Sequence, residues 1–142
     1  MDLGQYKFVL GEVVMIYQYI ESDIKIIIAA MTQGDYNQNL RNVRNNIKGL
    51  GEAIRELERV DNYGGNPRFN KRQYEVLKNI ARDRNYFCHS CTLDFSYIND
   101  FLYSNEFKRS YDKLMSTRES LLKIQSAVED YRIYALRVFR NM

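Results

Sequence analysis

The chain has one histidine, one proline and no tryptophan among 142 residues. Each shortage excludes something. The lone histidine, His89, joins Cys88 and Cys91 as three candidate metal ligands, and nothing elsewhere in the chain adds a second His or a third Cys. Closed structural zinc sites use four ligands, so no metal and no other cofactor is expected. A single proline removes the commonest helix breaker and favours long helices. The two cysteines lie three apart; on a helix a disulfide between them would strain the backbone. Free thiols and a cytoplasmic location are therefore expected. There is no Gly-rich phosphate loop, no Ser/His/Asp set and no paired-carboxylate motif. No basic run precedes the first apolar one, so no signal peptide is expected. The apolar stretch 8–31 carries Glu12, Glu21, Asp23 and Lys25, too many charges for a membrane-spanning helix.

What remains has the composition of a soluble globular protein, with 45% hydrophobic and 27% charged residues. The length suits one domain, residues 1–142. Four helical segments are expected. The first, 5–31, is apolar over a wide arc and should be buried on more than one side. The second, 37–60, has an apolar seam of Leu40, Val43, Ile47, Leu50, Ile54 and Leu57. Gly64, Gly65 and Pro67 end it. The third starts at an Asn70 cap with Gln73 three residues on. It runs to about residue 102, with a candidate break near Ser90 to Thr92. The fourth covers 104–139. Nothing alternates with period two over a strand's length. The expected class is all-α, a four-helix up-and-down bundle with short connections.

Charge is uneven along the chain. Residues 41–84 hold eleven Lys/Arg against six Asp/Glu, although the net charge of the whole is only +3. On a continuous second helix, Arg41, Arg44, Lys48, Arg55 and Arg59 fall on the face opposite the seam. The stripe could follow an RNA backbone; it also serves as the solvated face that an amphipathic helix needs. Glu52 and Glu56 interrupt it.

The third helix has its own seam of Tyr74, Leu77, Ala81, Arg84, Cys88, Cys91, Phe95, Ile98 and Leu102. Arg84 is its one charge. A guanidinium on a core-facing stripe is costly unless something pairs with it. It should meet a carboxylate, line a cleft or sit where two subunits meet. Asn85 and His89 are four apart and share a face. Arg84 and His89 are five apart, about 140° around a regular helix, so they flank a groove.

The hexapeptide RNYFCH, residues 84–89, resembles the signature of HEPN-domain proteins: an arginine, often a polar residue next, then four to six residues and a histidine. The all-helical surroundings resemble such domains too, which are small bundles of four or five helices. Leu77 and Ile80 supply an apolar lead-in like theirs. The resemblance implies a metal-independent endoribonuclease acting as a homodimer, with both signatures in one composite cleft. It implies a role in prokaryotic toxin–antitoxin, abortive-infection or CRISPR-linked defence, with RNA as substrate and a cognate antitoxin or defence protein as partner. Family members without the motif bind nucleotides or proteins. In toxins paired with minimal nucleotidyltransferases a tyrosine follows the histidine by two residues; here that position is Cys91. The chemistry expected of the residues is specific. His89 would move protons near neutral pH. Arg84 would hold the scissile phosphate. Asn85 would orient His89 or donate a hydrogen bond. Arg41, Arg44, Lys48 and Arg55 would contact the RNA. The rival expectations are a catalytically silent HEPN-like binding subunit and a plain helical adaptor dimerising through the first helix.

Overall fold

The computed structural model describes residues 2–142, which form five α-helices, a π-helical turn and two 3-10 turns, with no strand. The protein is all-α. Helix α1, Leu3–Met31, opens on a capping box: Asp2 accepts from the Gln5 amide at 2.7 Å, and Gln5 accepts from the Asp2 amide at 3.2 Å. Its apolar positions recur every three or four residues, and Tyr6, Val13, Tyr17, Ile20, Ile24 and Ile27 are fully buried. As expected, α1 is buried on several sides, against α2, α3 and α5.

The expected second helix is two helices. α2 spans Tyr36–Asn46 and α3 spans Leu50–Tyr63. Between them Ile47 is extended, and Gly49 takes φ 88°, ψ 165°. That corner of backbone space is essentially closed to residues with a Cβ. The chain therefore turns back on itself. α2 starts near the end of α1, where the Asn39 amide donates to the Thr32 carbonyl at 2.9 Å. It ends near the middle of α1, where Arg44 borders Glu21.

Helix α4, Lys71–Asn85, starts on the expected Asn70/Gln73 capping box, with both bonds at 2.9 Å. It lies antiparallel to α3, joined by Lys78–Glu58 at 2.8 Å and by Tyr74–Asp61 at 2.5 Å. The expected continuation to residue 102 does not form. A π-turn, Tyr86–Ser90, is followed by 3-10 turns at Cys91–Asp94 and Phe101–Tyr103. Ser90 leaves helical geometry at φ −141° and Asp100 is left-handed at φ 52°. The seam survives as far as Phe95, which is buried; Ile98 and Leu102, expected on it, are 37% and 40% exposed.

Helix α5, Asn105–Arg140, is capped by Ser104, whose hydroxyl accepts from the Phe107 amide at 3.1 Å. Its cross-links to α1 advance together along both chains: Tyr6–Ser110 at 2.8 Å, Glu12–Arg118 at 3.1 Å, Asp23–Arg132 at 3.2 Å, Ala30–Arg140 at 2.9 Å. So α1 and α5 run parallel. Five alternating helices require this; four would make first and last antiparallel.

Two polar knots hold the end of the bundle where α1 finishes. Asp61 is buried on α3, and its carboxylate accepts from the Arg68 and Phe69 amides at 2.9 and 3.1 Å. The same carboxylate accepts from Tyr74 and Tyr131 hydroxyls at 2.5 and 2.6 Å, tying α4 and α5 to α3. Arg140 donates to the carbonyls of Ala29 and Ala30, which the end of α1 leaves without helical partners, and to those of Thr32 and Gly34 in the turn that follows. No helix among the described residues is long and apolar enough to cross a membrane.

Candidate functional site

Arg84 occupies the last turn of α4 and is half-buried, its side chain 34% exposed. It does two of the three things its position demanded. It faces a carboxylate, Glu21 of α1, at 3.9 Å, and it lines a concavity of about 190 Å³. The other walls are Gln18, Glu21, Ser22 and Lys25 from α1 and Arg44 from α2. At 3.9 Å the ion pair is too long for a hydrogen bond. Glu21 turns its other oxygen to Lys25 at 3.1 Å, one helical turn along α1. Two cations thus share one carboxylate, and a third, Arg44, lines the same concavity.

Glu21 and Lys25 were visible in the sequence as charges interrupting the apolar arc of the first helix. They carried a signal about the site as well as about membranes. Which faces would meet could not be read without the reversal at Gly49, which sets the direction of α3 and α4 and so brings Arg84 to Arg44 and Glu21.

His89 sits on the π-turn and is exposed, as is Asn85. Among the described residues no hydrogen bond engages either side chain. A π-turn closes i→i+5 rings and so takes more residues per turn than an α-helix. Its smaller step brings His89 closer in azimuth to Arg84 than the about 140° of a regular helix. The imidazole does not line the Arg84 concavity.

The frame around them is firm. Phe87 is buried in the core. The Tyr86 hydroxyl donates to Asp94; burial, then that hydrogen bond, pushes its pKa up to about 12. Lys113 of α5 stands 4.4 Å from the Tyr86 ring centroid and 3.8 Å from Asp83. Tyr17 of α1 is fully buried, and its hydroxyl has no hydrogen-bond partner among the described residues. Burial holds its pKa well above the ordinary phenol value. The charges of Asp83 and Cys88 add to this and Arg84 opposes it.

The expected RNA-contacting stripe is divided. Arg41 is exposed on α2 and donates to Gln38 at 2.9 Å; Lys48 lies in the connection. Arg44 joins Arg84. Arg55, beyond the break, borders a different concavity with Glu58, Arg59, Asn70, Lys71 and Tyr74. The one-face geometry required a continuous helix, and Gly49 removes it.

No family model, curated protein or solved structure matches the chain. Chemically, the site combines a half-buried guanidinium whose fork is not hydrogen-bonded, two further cations beside it, and an imidazole and an amide open to solvent. Its cations can bind an oxyanion.

Proposed function

We propose that the protein is a HEPN-type, metal-independent endoribonuclease in which Arg84 holds the scissile phosphate, His89 transfers the proton and Asn85 orients it. The observation that carries this reading is Arg84 itself. It is a guanidinium on an otherwise apolar helix stripe, half-buried, with no hydrogen bond among the described residues, and one π-turn before an exposed histidine. Five helices with the signature at the end of the fourth suit the HEPN-like arrangement, which has four or five.

In this reading the 2′-hydroxyl of RNA attacks the adjacent phosphorus. His89 takes up the hydroxyl proton, an effect worth roughly 10²–10⁴ in rate. Arg84 stabilises the charge on the equatorial oxygens. As the 2′-O–P bond forms the P–O5′ bond breaks, and the departing 5′-oxygen takes a proton from water, so the products carry 2′,3′-cyclic phosphate and 5′-hydroxyl ends. Two chains would meet so that both signatures border one cleft, in a defence or toxin system with a cognate partner. Arg41, Arg44, Lys48 and Arg55 supply backbone contacts on more than one face.

Incubation of the purified protein with single-stranded RNA in EDTA tests this. The wild type should yield cyclic-phosphate ends, and His89→Ala and Arg84→Ala should each lower cleavage by at least about 10² with unchanged helix content. Undiminished cleavage in either variant rejects the assignment.

A second reading is a catalytically silent HEPN-like binding subunit. The unanchored imidazole favours it, because catalytic histidines are usually fixed by a hydrogen bond to the second ring nitrogen. RNA retained without cleavage would select it.

A further inference from the structure

We infer that Lys25, Arg44 and Arg84 form a binding site for a phosphate oxyanion, with Glu21 as its resident counter-ion. The charge balance points there first. Three cations and one carboxylate line a single concavity of about 190 Å³, leaving a net charge of +2 inside it. Glu21 and Lys25 satisfy each other at 3.1 Å as a helical i, i+4 pair. Arg84 has a shared and longer claim on that carboxylate, at 3.9 Å. Arg44 is exposed and has no ion pair among the described residues.

A structural role for Arg84 would need its donors satisfied within the fold. A guanidinium has five N–H groups in a fork that fits two oxygens at once. Here the side chain is one-third exposed and the fork makes no hydrogen bond among the described residues. Its donors are open to solvent, and a tetrahedral oxyanion can engage two of them at once. Two of the walls come from different helices brought together by the turn at Gly49, so the cluster is tertiary. Glu21 then occupies the place of the ligand: it keeps the cations together in the empty site and competes with an incoming anion.

That the natural ligand is a phosphodiester of RNA rests on the ribonuclease reading above; the oxyanion site itself does not. Calorimetric titration of the full chain at low ionic strength tests it, with inorganic phosphate in one arm and an uncleavable deoxyoligonucleotide in the other. Binding in either arm should be lost in Arg84→Ala. It should weaken about threefold to fivefold in Arg44→Ala, a variant on an exposed position that cannot disturb the core. Glu21→Gln should tighten it by a similar factor. No binding in either arm, an unchanged or weaker affinity in Glu21→Gln, or wild-type affinity in Arg44→Ala overturns the inference. Binding of the oligonucleotide alone identifies a phosphodiester site; binding of both adds free phosphate. If anion binding follows this ranking but RNA stays intact, the ribonuclease assignment fails and the site stands. RNA cleavage without the Glu21→Gln gain has the opposite meaning.

Discussion

Asp61 accepts four hydrogen bonds from three parts of the chain and forms no ion pair among the described residues. Its removal would leave two tyrosine hydroxyls and two amides without an acceptor in a buried setting. Asp61→Ala should therefore cost about 3–5 kcal/mol, read from urea unfolding, whereas Tyr131→Phe should cost about 1 kcal/mol. The sequence contained the clue. Leu50, Ile54, Leu57 and Asp61 follow the same three-four rhythm that singled out Arg84 on the next helix. Ending that helix at residue 60 hid it. Asp23 is a different case. Burial raises its carboxyl above the usual range, and Arg132 opposes the shift without cancelling it. The folded chain thus holds this proton more tightly than the unfolded chain does. Its contribution to stability is complete below the ordinary carboxylate value and is lost as pH rises through the raised one. Asp23→Asn should remove that slope, so a comparison of unfolding free energies between about pH 3 and pH 6 should show the wild type losing more than the variant. An equal pH dependence of the two would reject this account.

At the scale of elements, the caps and the apolar seams were legible because both are local. Asp2/Gln5 was not singled out, but Asn70/Gln73 and the start of α5 near Ser104 were, and each begins where expected. The break between α2 and α3 was not legible, because Ile47 and Leu50 stay on the apolar side of the chain through the reversal. Periodicity records which residues are buried, not which way the chain runs. Gly49 was the available mark. Gly49→Ala should cost about 1–3 kcal/mol, since a φ of 88° with ψ of 165° strains any residue with a Cβ even though the space around it is open. Gly51→Ala is the control: its added Cβ meets only the Arg55 side chain, at 3.7 Å. It should be neutral or stabilising by up to about 1 kcal/mol. Equal melting shifts in the two would remove the backbone explanation. The divided arginine stripe follows from the same residue, as does the placement of Arg44 beside Arg84.

For the molecule as a whole, the pairing of α1 with α5 dominates. Ile20, Ile24 and Val13 on one side and Leu114, Leu121 and Val128 on the other are all fully buried. A fragment of residues 1–103 would keep four helical segments yet leave the broad face of α1 uncovered. It should show no cooperative thermal transition, and a sharp transition in that fragment would mean that the first four helices have a core of their own. All-helical class was readable because it needs only local periodicity. The parallel run of α1 and α5 was not, since it depends on counting reversals. The Arg140 clasp has a consequence during synthesis. The carbonyl of Ala30 waits for a donor that is 110 residues further along the chain. At translation rates of roughly 5–20 residues per second, the face of α1 that α5 covers waits several seconds for its partner. A holding chaperone that binds nascent chains would meet this face of α1 before α5 does.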